Sequence, residues 1–235
     1  MLAVYTLVVD RLEYTIETVY ALENDNNVDF IHFILSQGSE RITNDWLKGY
    51  PFKHETHTYF WDENRGISIG SNFLVEEIAK AQEGREYPIR VISKVDNDIE
   101  TITPNWLDRC YAVASNHMIL CSPLVMGLKM FPDGVPGYAG QTMGGEFIRM
   151  THHIGGIVHM ARAALHIAHT YPTSMTYAMD QDTTLSRAAT NQFYLIGYLE
   201  DVKIRHRDTT EGQMEKYPEY FKKKLEVWEK EVPSG

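Results

Sequence analysis

Two carboxylates one residue apart, Asp96 and Asp98, follow directly on the apolar run of residues 89–95, Ile-Arg-Val-Ile-Ser-Lys-Val. Carboxylates are hard oxygen donors suited to Mg²⁺ or Mn²⁺, and an added imidazole tilts the choice towards Mn²⁺. His206 lies between Arg205 and Arg207, just after the apolar stretch 202–204, and by itself reads as a surface histidine. A divalent cation held this way acts as Lewis acid and template. Asp180 and Asp182 form a second acidic pair. Either can serve as a general base, and either can instead cap or line the first turn of a helix over 182–190. His152, His153, His159, His166 and His169 form a third cluster, without the His-Glu-x-x-His or cysteine pair of a zinc site. They are expected to pack or hydrogen-bond near a groove.

Positioning Asp96 and Asp98 requires a strand. Four of the seven residues 89–95 are Ile or Val, which predicts a largely buried strand with Arg90 and Lys94 reaching outward. Such a strand delivers the carboxylates to the sheet edge where open α/β sheets bind ligands. Pro104 then reads as the first position of a helix over 106–115, with Thr103 as its cap. Other strands are expected at 2–9, 30–36, 56–61 and 118–126. Helices are expected at 12–22 and 73–82, with 43–47 helical or irregular. Strands alternating with helices imply βαβ units and a mostly parallel sheet. In the second half, a turn-rich loop covers 132–137 and a strand 147–150. A helix follows Gly155-Gly156 to about His169, short strands cover 193–198 and 202–204, and a charged amphipathic tail covers 217–231.

The chain has 235 residues, 43% of them hydrophobic, enough for a sizeable core. Its formal net charge of −10 argues against a general basic face for nucleic acid. It leaves room for a local groove of Arg162, Lys203, Arg205 and Arg207. Two cysteines, Cys110 and Cys121, are too few for a disulfide framework and suggest a reducing compartment. The apolar start reads as a strand rather than a signal peptide, and no run approaches the roughly 18 apolar residues of a membrane span. A cytoplasmic protein without an integral membrane segment is expected.

Taken in order, these landmarks resemble the inverting, family-2-like glycosyltransferases of the GT-A fold. The resemblance runs from Leu2 to about Arg207. Asp96-Asn97-Asp98 matches the metal-binding DxD motif. Asn64-Arg65-Gly66, with Gly70 and Asn72, resembles the Asn-x-Gly…Asn segment before a helix. Gly155-Gly156 resembles the acceptor-loop glycine pair, and Asp180-Gln181-Asp182 with Leu185 and Arg187 resembles the segment carrying the catalytic base. Three departures stand out. Leu185 comes later than that segment's pattern expects. Met179 replaces the usual Glu of that segment, and Gln37-Gly38-Ser39 lacks the carboxylate that usually reads uracil.

The resemblance implies an α/β, Rossmann-type three-layer sandwich forming a single domain over 1–235. Residues 1–115 would bind the nucleotide-sugar, 116–210 the acceptor, and 211–235 form the tail. It implies a nucleotide-sugar donor, UDP-linked in the first instance, bound by Thr6, Asp10, Arg11, Gln37, Gly66, Asn72, Asp96 and Arg205. It implies Mn²⁺ or Mg²⁺ on Asp96, Asp98 and His206, and Asp180 as the base that activates a hydroxyl acceptor. A glycan, a protein and a modified nucleic-acid base all remain open as acceptors. A nucleotidyltransferase of related fold and a non-catalytic sugar- or nucleotide-binding module are the alternatives. The first would need a basic, glycine-rich loop after the first strand, which Asp10-Arg11-Leu12-Glu13 does not supply.

Overall fold

The computed structural model describes residues 1–127, 139–173 and 180–207, of 180–182 the backbone alone, and the single positions 215, 218 and 222. The expected loop at 132–137 lies outside the described residues, as does nearly all of the tail at 217–231.

The first half alternates strand and helix: β1 (Leu2–Val8), α1 (Leu12–Asn24), β2 (Phe30–Gln37), α2 (Arg41–Gly49), β3 (Thr56–Trp61), α3 (Ile67–Gln82) and β4 (Val91–Val95). Then come β5 (Ile99–Thr101), α4 (Trp106–Asn116), β6 (Ile119–Met126), β7 (Ala139–Met143), β8 (Glu146–Met150) and β9 (Val158–Arg162). The described order closes with α5 (Ala163–Ala168), α6 (Asp180–Asn191) and β10 (Leu195–His206). The described strands form one sheet in the order β3-β2-β1-β4-β9-β6-β10-β8-β7, with β5 paired to β10. The runs β3-β2-β1-β4 and β6-β10 are parallel, and β9 joins them antiparallel to both β4 and β6.

Helices cover both faces of this sheet. Leu22 of α1 and Trp106, Leu107 and Cys110 of α4 pack on Leu2, Val4, Val91 and Val95. Leu74 and Ile78 of α3 pack on the opposite face, against Ala3, Tyr5, Ile31 and Phe33. Leu165 of α5 and Leu185 and Ala189 of α6 extend that second layer over Leu120, Ala161 and Ile196. The molecule is therefore a three-layer α/β sandwich with both faces of its central strands buried, as near-continuous apolar strands require. From β1 the chain winds outward to β2 and β3, and α3 then crosses back to place β4 on the other side of β1. The order reverses between β1 and β4, so the crevice beyond their carboxyl ends is the switch point where such sheets bind ligands.

Several sequence expectations are corrected. Residues 158–162 are strand, not helix: Val158, His159, Met160 and Ala161 are buried between β4 and β6, and only the short α5 follows. Lys94 does not reach outward but is 4% exposed. Helix α4 starts at Trp106 after a left-handed Asn105 (φ 56°). Thr103 caps nothing there, because its hydroxyl accepts the Lys203 amide at 2.9 Å. The two short strands expected at 193–204 are one strand, β10. Its pairing with β6 slips between Leu199 and Lys203, which face the successive residues Pro123 and Leu124. Among the described residues no helix is long and apolar enough to cross a membrane.

Candidate metal and nucleotide-sugar site

Three chain segments converge at the switch point. The turn after β1 carries Asp10 and Arg11, both in the left-handed region (φ 50° and 56°). The turn after β4 carries Asp96, Asn97 and Asp98. The end of β10 carries Arg205, His206 and Arg207. Strand β5 pins this last segment, pairing Ile99 with His206, and the Arg207 amide donates to the Asp98 carbonyl at 2.8 Å.

Asp98 lies at the centre and is 3% exposed. Its Oδ2 accepts Arg11 Nη1 at 2.8 Å and lies 3.3 Å from His206 Nε2. Its Oδ1 is buried without a hydrogen-bond partner. Burial alone would raise this carboxyl, but the His206 hydrogen bond and the positive charges of His206 and Arg11 outweigh it and hold it at about 2. Asn97 completes the arrangement: its Oδ1 accepts Arg11 Nη2 at 2.7 Å, and its Nδ2 donates to Thr15 Oγ1 at 2.9 Å. Arg11 thus spans the middle and last residues of the Asp-Asn-Asp triplet.

Asp96 sits at the rim, where the buried Lys94 ammonium grips it and also donates to the Gly156 carbonyl. Burial pushes Asp96 upward despite Lys94, and the negative Asp98 adds to that push. A Lys so enclosed needs such partners, because an isolated buried charge is prohibitive.

The other sequence candidates are placed less centrally. Thr6 is 1% exposed, inside the sheet, with its hydroxyl 3.0 Å from His32 Nε2. Asp10 ties two loops together, accepting the Glu40 amide while its own amide donates to Ser39 Oγ at 3.0 Å. Gln37 is buried at the end of β2 against Gly70 of α3, where an added Cβ would lie 2.9 Å from its Nε2. Gly66 (φ 87°) precedes α3 and donates its amide to Asn64 Oδ1 at 2.9 Å. Asn72 exchanges two hydrogen bonds with the Tyr171 backbone, at 2.8 and 2.9 Å. Arg205 faces Glu100 at 2.9 Å. The Asp180 backbone opens α6 rather than preceding it; its side chain lies outside the described residues.

Sequence reasoning missed Asn97 and Lys94 as members of this network. Only Lys94's position two residues before Asp96, on the buried strand, signalled it.

The resemblance implies a divalent cation, and the donor set fits one in part. Asp98 Oδ1 is an open hard-oxygen donor with an imidazole beside it. Among the described residues, however, no three acidic, histidine or cysteine side chains already stand as a metal cage. Arg11 and Lys94 hold the two carboxylates instead.

No protein-family model and no curated protein matches the chain. Solved structures do. TarS from S. aureus in complex with UDP superposes with a TM-score of 0.65 at 17% identity, covering 96% of this chain and 63% of that one. Its complex with UDP-GlcNAc gives 0.65 at 14% identity, covering 96% and 64%. The mannosyltransferase PcManGT from Pyrobaculum calidifontis, with GDP-Man and Mn²⁺, gives 0.64 at 10% identity, covering 90% and 58%. The chain spans between 38% and 64% of the length of such structures. At these identities the likeness establishes the fold, a GT-A-like α/β fold shared with glycosyltransferases.

Proposed function

We propose that this protein is an inverting glycosyltransferase, taking a sugar from a nucleotide-sugar, UDP-linked in the first instance, to a hydroxyl acceptor. One observation carries the reading. The open Oδ1 of Asp98, with His206 and Arg11 beside it, sits in the crevice between β1 and β4 where this fold takes its ligand. Asp98 and His206 would hold Mn²⁺ or Mg²⁺, with Asp96 at the rim binding it directly, through water, or meeting the ribose. The cation, when bound, supplies Lewis-acid neutralisation of the diphosphate. Arg11 is within reach of that same charge, and Arg205 adds to the positive field at the rim. Asp180 would take the acceptor's proton as its oxygen attacks the anomeric carbon and the bond to the diphosphate breaks.

Thermal unfolding with UDP-GlcNAc, GDP-mannose and UDP, each with and without Mn²⁺, tests the reading, because ligands that bind the native state raise its midpoint by mass action. A rise with a nucleotide-sugar that depends on Mn²⁺ is expected. No rise with any of them, in either condition, counts against the site. Binding without any donor hydrolysis or transfer would favour the non-catalytic module.

A further inference from the structure

Lys94 stands on β4 between Tyr5 of β1 and His159 of β9. By strand alternation its side chain leaves the sheet on the same face as Ile92, the face that α3 covers. There its ammonium takes Asp96 Oδ1 and the Gly156 carbonyl together. The Gly155 amide donates to Tyr198 Oη at 3.1 Å, and the Ile154 amide to Ser186 Oγ at 3.3 Å. Three successive loop residues are thus fastened to three elements: Gly156 to β4, Gly155 to β10 and Ile154 to α6. Asp96 also meets this loop by its backbone, its amide donating to the Ile157 carbonyl at 2.9 Å.

Stability alone does not call for this lysine. It is 4% exposed on a strand whose other residues are Val, Ile and Ser. Replacing a buried ion pair by apolar side chains is often neutral or stabilising. What apolar packing cannot do is orient, whereas one ammonium fixes a carboxylate and a carbonyl at once. The Asp96 side chain, gripped by one oxygen, still keeps 31% of its surface exposed. It is held from inside the sheet and open to a ligand outside it.

We propose that Lys94 is a positioning residue that yokes Asp96 to the loop 154–157 and, through Ser186, to α6. A ligand that engages Asp96 is then felt at the helix that Asp180 opens. Such coupling is reciprocal, so order in α6 favours the ligand-holding pose of Asp96 by the same factor. The identity of that ligand rests on the proposed nucleotide-sugar reading; the yoke itself does not.

The experiment is amide hydrogen exchange, followed by mass spectrometry, on the full chain. It is run ligand-free and saturated with UDP-GlcNAc and Mn²⁺, with thermal midpoints reporting the fold. Wild type, Lys94→Met, Asp96→Ala and the double variant Lys94→Met/Asp96→Ala are compared. The double variant removes the charge pair as a whole, so it folds even where the lone buried ammonium of Asp96→Ala does not. Ligand-free, each single variant should speed exchange at 154–157 about tenfold, and the double variant no more than either. In wild type the nucleotide-sugar should slow exchange at 154–157 and 183–190 as well as at 10–13. In Lys94→Met the slowing at 10–13 should remain and that at 154–157 and 183–190 should vanish. Slowing at 154–157 that is absent from donor-bound wild type, or that survives in Lys94→Met, overturns the proposal. So does wild-type exchange there in folded Asp96→Ala, or exchange in the double variant faster than in Lys94→Met. Loss of the slowing at 10–13 in Lys94→Met would make Lys94 part of donor binding itself, and likewise overturns it. If wild type binds no nucleotide-sugar, the transferase reading fails and the ligand-free comparison alone decides the yoke.

Discussion

Arg11 and Asp98 stand 87 residues apart in sequence and meet at 2.8 Å, with Arg11 occupying one of the two oxygens that a metal would use. A cation arriving at Asp98 therefore competes with a resident one. Arg11→Met should tighten Mn²⁺ binding in the absence of nucleotide and weaken binding of a nucleotide-sugar diphosphate. Titration of Mn²⁺ followed by electron paramagnetic resonance checks the first half, calorimetry the second. Weaker Mn²⁺ binding in the variant would show Arg11 to be a support of the site rather than a competitor.

Asp98→Ala leaves Arg11 and His206 without their common carboxylate. It should abolish the Mn²⁺-dependent rise in midpoint with UDP-sugars. Stability should also fall, because removing one partner of a buried ion pair costs about 3–5 kcal/mol. Folded variant protein that retains wild-type donor affinity and Mn²⁺ response would remove Asp98 from the metal.

Asn72 separates structural from ligand-binding roles. Its paired hydrogen bonds to Tyr171 fasten α3 to the segment after α5. Asn72→Ala should cost about 1–3 kcal/mol, lowering the midpoint by about 2–4 °C per kcal/mol in a chain of this size. Donor affinity should stay unchanged. A large loss of donor affinity at unaltered midpoint would place Asn72 in the nucleotide-sugar site.

Acid should destabilise the fold through its buried histidines. Burial holds His32 and His166 at about 3, far below the ordinary value of 6.5. Between those limits the unfolded chain binds protons that the native state refuses, so stability falls as pH drops below 6.5. Each histidine contributes about 1.4 kcal/mol per pH unit. Asp98, held at about 2, acts lower still, its stabilisation fading as pH falls from about 3.9 towards 2. Midpoints measured from pH 7 to 5 should decline, and His166→Leu should flatten the slope. An unchanged slope would place His166 outside this linkage.

Two acids compete as base. Asp180→Asn should lose about 10²–10⁴-fold of transfer in a single turnover while keeping the midpoint. Asp182→Asn should change stability by about 1 kcal/mol. The reverse pattern would exchange their roles, and no loss in either would remove the main support for inversion.

The parts legible in the sequence were those governed by local pattern. β1, β2 and β4 read as buried strands because apolar side chains line both faces. Asp96, Asp98 and His206 were read as one group, and the structure brings Asp98 and His206 together. What escaped was set at long range. β9 carries Met, Ala and His, poor strand markers, and is extended because β4 and β6 flank it; tertiary pairing overrides propensity there. Lys94 is buried because Asp96 and the Gly156 carbonyl, 62 residues away, receive its ammonium. The partners of Asn72 and Asp10, the Tyr171 backbone and the Glu40 amide, were likewise set by the fold and not by local pattern.

The slip in β10 has a consequence for how the chain tolerates insertion and deletion. Before it, Leu199 faces the α4 layer while Ile196 and Tyr198 face α6; after it, Val202 and Ile204 face the α4 layer. The extra residues exchange odd for even, and that exchange puts His206, rather than Arg205 or Arg207, against Asp98. Losing a single residue at Glu200 or Asp201 would keep every side chain of the site in the gene yet turn the imidazole outward and present a guanidinium in its place. The frame of the strand, as much as the identity of residue 206, encodes the site, so a one-residue deletion there is a more severe lesion than most substitutions.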